Sequence, residues 1–266
     1  MEVYSQLANP AFEAELVERR ATRDAAFLVP HLRSGMRLID VGSGPGSITL
    51  GLAEVVGPGE VVGVDIQPAQ VAQARSLAAD RCTTNVRFEA GDIYALPFPD
   101  RSFDAAFANG VLMHLAEPVR ALAELRRVLR PGGVAALRDP DFGTAVYAPM
   151  TPLLEHWLAV RAHARLHNGG DPFRARHYRR LLLEAGFARA EAGASVDSAG
   201  SPDKTARHAV FLKAMLQGLT RTVLAQGWMD QAAIDRTVAE IDAWARRPDA
   251  FYATTWCEAI GWAAFS

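Results

Sequence analysis

The 266 residues are 50% hydrophobic, enough to bury a sizeable core, and the length suits one large domain with insertions about as well as two small ones. A formal net charge of −2 without any basic block argues against a nucleic-acid partner held by counterion release. Cys82 and Cys257 lie far apart with no metal-ligand spacing, and there is neither a secretory leader nor an apolar run of membrane-spanning length, so a reduced, cytoplasmic, metal-free protein is expected.

Pro10 to Leu32 reads as a helix with apolar positions Phe12, Leu16, Ala25, Phe27, Leu28 and Leu32. Tyr4, ahead of it, is either part of a frayed terminus or a lid over a pocket. Met36–Ile39 is a short buried strand running into Asp40-Val41-Gly42-Ser43-Gly44-Pro45-Gly46-Ser47. A helix then starts at Ser47 and stops at Gly57-Pro58-Gly59. Strand, glycine turn and helix in that order make a site for a nucleotide-like ligand, because glycine permits close backbone approach and the helix start offers unpaired N–H groups.

Val61–Val64 is a continuous β-branched strand ending at Asp65, and Pro68 opens the next helix. Val86–Ala90 ends at Gly91-Asp92-Ile93, and Phe103–Ala108 ends at Asn109. A helix carrying Val119, Leu122, Leu125, Val128 and Leu129 stops at Pro131-Gly132-Gly133, and Val134–Leu137 leads to Arg138-Asp139-Pro140-Asp141. Five strand–helix alternations imply an α/β, Rossmann-like, mostly parallel sheet covered by helices on both faces. Right-handed crossovers place every strand's C-terminal end on one edge, where ligands bind. Asp40, Asp65, Asp92, Asn109 and Asp139 all sit at such ends.

Beyond this the alternation breaks. Thr151-Pro152 opens a helix to Asn168-Gly169-Gly170, and Asp171-Pro172 opens a second that closes at Gly186. Phe187–Val196 is a strand, Ser201 to Gly227 and Asp230 to Ala245 are helices, and Phe251–Trp262 is a last strand. The expected organisation is one domain over 1–266. Residues 1–32 form a helical lid, 33–141 the ligand-binding core, 142–170 and 201–247 a helical cap, and 187–196 and 251–262 the closing strands.

Two ligands compete for the glycine turn. In a dehydrogenase the turn holds a pyrophosphate and Asp65 the ribose. Yet the third glycine of G-x-G-x-x-G falls on Ser47, and no Tyr-x-x-x-Lys pair is present. Asp40 beside the turn repels a phosphate by a few kcal/mol in a partly dry site, and attracts a cation. S-adenosylmethionine, with an ammonium, a sulfonium and no phosphate, suits that acid.

The segment Leu38 to Gly46 resembles motif I of class I S-adenosylmethionine-dependent methyltransferases. Gly63-Val64-Asp65 resembles their acidic second motif, Gly91-Asp92-Ile93 the adenine-edge motif, and Leu129-Arg130-Pro131-Gly132-Gly133 the signature before the fifth strand. The likeness runs from about Leu32 to Asp141, and the branch it is most similar to is that of ubiquinone/menaquinone biosynthesis. Ser43 departs from the usual Cys or Gly. The resemblance implies a seven-stranded sheet with its last strand antiparallel. It also implies that Gly42, Gly44 and Gly46, with Ser43 between them, underlie the methionine moiety and Asp65 the ribose hydroxyls. Ile66 then packs on the adenine, Asp92 accepts from its amino group, Ile93 covers the neighbouring face, and Asn109 lies on the sulfonium side.

Methyl transfer from a sulfonium is an in-line displacement, carried by alignment and water exclusion, with a base needed only if the acceptor must lose a proton. His114 is the first candidate base, or else caps the next helix; Asp139 is base, orienter of His114, or structural. The stretch Asn109-Gly110-Val111-Leu112 lacks the Asn/Asp-Pro-Pro-aromatic pattern of amide- and nucleobase-nitrogen methyltransferases. With Phe142, Tyr147, Met150, Trp157, Phe211 and Met215 in the cap, the expected acceptor is an O or C atom of a small, mostly apolar, natural-product or quinone-like metabolite. The alternatives are a cyclase or isomerase that binds S-adenosylmethionine without net transfer, and an NAD-dependent dehydrogenase. A homodimer is left open.

Overall fold

Strands form where small and β-branched apolar residues run uninterrupted, because such runs are buried on both faces. In the computed structural model, which describes residues 16–265, these are β1 (Leu38–Val41), β2 (Val61–Asp65), β3 (Val86–Ala90), β4 (Phe103–Asn109) and β5 (Leu129–Pro140). β1 and β2 are buried at every position. Three more strands follow, β6 (Val146–Ala148), β7 (Arg189–Ala199) and β8 (Phe251–Trp262).

The order is β3-β2-β1-β4-β5-β8, with the first five mutually parallel. β8 runs antiparallel to β5, from Val134↔Trp262 to Pro140↔Trp256, and β7 lies along the other edge of β8 from Arg189↔Trp262 to Ala199↔Tyr252. The eighth strand, absent from the expected seven, is the short β6. It pairs with Phe251–Ala253 on the same edge of β8 that β5 uses further along.

The helices are α1 (Ala21–Asp24), α2 (Ser47–Val56), α3 (Pro68–Asp80), α4 (Pro118–Val128), α5 (Pro152–His167), α6 (Tyr178–Glu184), α7 (Pro202–Ala225) and α8 (Gln231–Ala245). One sheet face packs Ile39, Val62 and Leu137 against Leu122 and Leu125 of α4 and Leu181 and Leu182 of α6. The other packs Leu38, Val61 and Phe107 against Ala21 of α1 and Ile48 and Leu52 of α2. A separate core joins α5, α7 and α8 through Trp157, Leu212, Met215, Ile241 and Trp244, with Tyr147 of β6. Trp157 and Trp244 are wholly buried, each removing on the order of 200 Å² of aromatic surface from water. None of the described helices is long and apolar enough to cross a membrane.

Four boundaries differ from expectation. Pro10–Leu32 is not one helix within the described residues: α1 ends at Asp24, and Val29–His31 is a single 3-10 turn. Arg20 has extended backbone (φ −138°, ψ 138°) and breaks the expected helix, and its N–H, at the N-cap of α1, is satisfied by the Asp24 carboxylate at 2.8 Å, which also pairs with Arg138 at 3.1 Å. After Asp171, whose side chain accepts from the Phe173 N–H, a 3-10 turn (Arg174–His177) precedes the short α6. β5 starts five residues early, at Leu129, by pairing with Phe103 across a bulge. β7 runs on to Ala199 because β8 offers it partners as far as Tyr252.

Candidate functional site

β1 delivers Asp40 and the glycine turn, and β2 delivers the acid that holds the turn in place. The N–H groups of Gly42 and Ser43 donate to the Val64 carbonyl at 2.7 and 3.1 Å, and Gly44 N–H donates to Asp65 Oδ2 at 2.9 Å. Asp65 Oδ1 accepts from Gln67 N–H at 3.0 Å. Each carboxylate oxygen keeps a second lone pair for a ligand. Burial pushes the Asp65 carboxyl above its ordinary range, against the pull of both backbone bonds. Gly42 has φ of +74° and no room for a side chain, since a Cβ there would lie 2.2 Å from Val111 Cγ2.

Asp40 is 3% exposed and accepts from the Thr49 hydroxyl at 2.6 Å. Burial raises its pKa to about 7, with the Thr49 bond opposing and Asp65 adding to the rise. Beside these acids, Ser43 Oγ, Ser47 Oγ and Gln70 Oε1 are buried without a hydrogen-bond partner among the described residues. Backbone cradle, acids and waiting polar atoms fit a ligand that brings cations and hydroxyl donors.

They line one end of a cavity of about 530 Å³. Asp40, Gly42, Ser43, Gly44, Asp65, Ile66, Gly91, Asp92, Ile93, Asn109 and His114 all reach its wall. Ile66 is 67% exposed, Asp92 is exposed with Oδ1 accepting from Tyr94 N–H, and Ile93 is buried. The buried Asn109 amide donates to the Arg138 carbonyl and accepts from Arg19 Nη1, both at 3.2 Å. Gly46 lies off the wall, facing Phe88 and Ala74 behind the turn. Tyr4 falls outside the described residues.

Asp139 is not placed to act as a base. It is 1% exposed and absent from the cavity wall, and its Oδ2 accepts from Met113 N–H at 3.0 Å and from the Tyr178 hydroxyl. Burial lifts its pKa to about 6 while those two bonds oppose. Those two bonds tie the end of β5 to the loop that carries His114 and to α6.

His114 does reach the cavity, but its chemistry differs from that of a base. The Arg165 guanidinium, which has donors only, faces His114 Nδ1, so that nitrogen accepts and the proton sits on Nε2. Burial, reinforced by Arg165, holds the imidazole well below its ordinary pKa. It is a neutral ring whose second nitrogen donates.

Of the expected cap residues, Phe142, Phe211 and Met215 line the cavity. Tyr147 and Trp157 are spent in the helical core, and Met150 is exposed off the wall. Sequence reasoning missed Arg19, Arg161, Arg165, His208, Tyr252 and Trp256, all on the wall. His208 stacks on Tyr252 at 3.7 Å and meets the Tyr147 hydroxyl at 2.9 Å. Burial, then Arg161, lower its pKa to about 3. A signal for the two arginines was present: the buried stripe of α5 is Leu154, Trp157, Val160, Arg161, Ala164 and Arg165.

The Methyltransferase domain family matches residues 32–175, more than half of the chain and all of the acid-lined end. The chain belongs to the S-adenosylmethionine-dependent methyltransferases. This methyltransferase is 30% identical to the probable methyltransferase ltbC of Aspergillus luteorubrus, over 92% of its own length and 91% of that protein. It is 34% identical to an uncharacterised methyltransferase of Schizosaccharomyces pombe over 61% of its length, spanning only 60% of that relative. The crystal structure of YcgJ from Bacillus subtilis shares the fold, with a TM-score of 0.61 at 20% identity, over 91% of this chain and 99% of the bacterial one.

Proposed function

We propose that this methyltransferase moves a methyl group to an oxygen or carbon of a small metabolite with an apolar or aromatic body. The observation that carries this is the division of one cavity into two ends. Acids and bare backbone line one, and Phe142, Phe211, Met215, Tyr252 and Trp256 line the other.

S-adenosylmethionine, when bound, supplies a methyl on a sulfonium, an electrophile that needs in-line approach and a dry surrounding. At the acid end, Gly42 and Gly44 would let the backbone approach the methionine moiety, and the ionised Asp40 would face its ammonium. Asp65 keeps lone pairs that would serve ribose hydroxyls, Asp92 would accept from the adenine amino group, and Ile66 and Ile93 would cover the ring. Asn109 stands between this end and the acceptor.

At the other end, α5 and α7, with α8 behind them, act as a cap that keeps water from the reacting atoms. Its aromatic side chains orient the acceptor, which supplies proximity rather than acid–base help. His114, neutral and donating, steadies an acceptor oxygen. With Asp139 sealed off and His208 too weakly basic, the acceptor attacks in a form that needs no protein base.

The test is methyl transfer from isotope-labelled S-adenosylmethionine into a metabolite extract, with the labelled position assigned by NMR. Label on O or C of a small molecule is the expected result. Label on nitrogen or on protein would overturn the reading, and substrate turnover without release of S-adenosylhomocysteine would favour cyclisation.

A further inference from the structure

We infer that the acceptor of this methyltransferase is an anion, bound through a carboxylate to Arg161 on the cap wall of the cavity. The inference rests on the methyltransferase reading above and names the substrate class of that same site.

Arg161 sits on the inward stripe of α5, is 7% exposed and reaches the cavity. One face of its guanidinium lies 4.0 Å over the Phe142 ring. Its Nη1 has only the weak thioether acceptor of Met215, at 3.8 Å, and its Nε is buried with no hydrogen-bond partner among the described residues. No carboxylate among those residues forms an ion pair with it. Elsewhere the fold treats buried arginine differently: Arg138, 4% exposed, is held by both Asp24 and Glu258.

A guanidinium cannot shed its proton, so the charge stays. Removing it from water without an anion is costly. Stacking on Phe142 offsets only part of that cost. The planar fork of donors is left facing the cavity, and its natural complement is a carboxylate held by two parallel hydrogen bonds.

The surroundings agree in sign. Arg165, one turn along the same helix face, also reaches the wall and donates to His114. Tyr147 is buried and its hydroxyl stays protonated, so it donates to His208 and leaves that ring with its own N–H. Asp197, on the same cavity, is exposed to solvent and makes no ion pair with Arg161. The cap end therefore offers donors and positive charge, while Asp40, Asp65 and Asp92 sit at the other end. An anionic acceptor and a cationic methyl donor each meet the charge they need. Phe142, Phe211 and Tyr252 around the arginine narrow the class to aromatic or apolar acids. The mostly apolar acceptor expected from sequence thus gains a charged handle.

The experiment is titration calorimetry on the full chain loaded with S-adenosylhomocysteine. The probes are benzoate, salicylate, 1-naphthoate and indole-3-acetate, each beside its primary amide. The acids should bind about tenfold or more tighter than the amides, the worth of one hydrogen bond to a charged group. Arg161→Gln should erase that preference, and Arg161→Lys should keep part of it. S-adenosylmethionine affinity should stay within about twofold in both variants, because neither touches the acid end. Three results would overturn the inference while S-adenosylmethionine binds normally: amides binding as well as acids, no acid binding at all, or an acid preference that survives Arg161→Gln. If Arg161→Gln does not fold, the wild-type comparison and Arg161→Lys decide. Failure of the wild-type protein to bind S-adenosylmethionine would overturn the underlying reading instead.

Discussion

The Thr49 hydroxyl donates to Asp40 Oδ2 at 2.6 Å, tying the first turn of α2 to the end of β1 inside the acid-lined wall of the cavity. Even with this bond Asp40 titrates at about 7, because it is buried. An acid whose folded pKa exceeds its unfolded one keeps a proton that the unfolded chain has released. The unliganded protein should therefore lose stability as pH rises from about 4 to about 7. A cationic ligand prefers the ionised form, so S-adenosylmethionine affinity should climb through about pH 7 and level off above it. Calorimetry and melting curves across that range test both slopes, and Asp40→Asn should flatten them. Thr49→Val removes the opposing bond and should move the binding midpoint up by about one pH unit.

His114 separates a base from a donor. Held neutral and accepting at Nδ1 from Arg165, it should leave no histidine limb in the pH–rate profile near its ordinary pKa. His114→Gln, which can still accept and donate, should retain most of the turnover, whereas His114→Ala should lower kcat by roughly tenfold, the worth of one hydrogen bond. A sigmoidal loss of rate on acidification in wild type that disappears in His114→Gln would restore the base.

Gly42→Ala asks for a Cβ at a φ of +74° and 2.2 Å from Val111 Cγ2. Valine is stiff at χ1, so the turn must move rather than the side chain. S-adenosylmethionine should bind about tenfold or more weakly, with a loss of stability on the order of 1–3 kcal/mol. Gly35→Ala, with a φ of +85° but nothing near its Cβ, controls for backbone strain alone.

Tyr178→Phe should destabilise without disarming. Losing its bond to Asp139 leaves a wholly buried carboxylate with Met113 N–H as its remaining hydrogen-bond donor among the described residues, at a cost of about 1–3 kcal/mol. Urea unfolding should show that loss, while S-adenosylmethionine affinity and the pH dependence set by Asp40 stay as in wild type.

What could be read from the sequence was short-range. The turn from Asp40 to Ser47 and the acids Asp65 and Asp92 announce themselves because strand, glycine and helix are neighbours along the chain. The β8 limits were legible too, since Phe251–Trp262 is bounded by a helix end and its own β-branched and aromatic composition. Asp139 shows where that reasoning stops. A strand-end acid on the ligand edge looks like part of a site until Tyr178, 39 residues later, arrives to cover it. Arg161 and Arg165 fail in the opposite direction. Their places on the apolar stripe of α5 were legible at helical spacing, but a basic residue on one helix reads as solvated until the packing of α5 against α7 and α8 shows that stripe to be buried. His208 was invisible for the same reason, its place being set by Tyr147 and Tyr252 from two different strands.

The raised titration point of Asp40 also bears on how the enzyme resets. Transfer of the methyl would turn a sulfonium into a neutral thioether and leave the ammonium in place, so an Asp40 facing that ammonium would stay ionised through the turnover. Its carboxylate would return to the about 7 of the unliganded wall only once the product has left. Loading of the donor and departure of the product, rather than the transfer itself, would then be the steps accompanied by a proton leaving and entering one buried carboxyl near neutral pH.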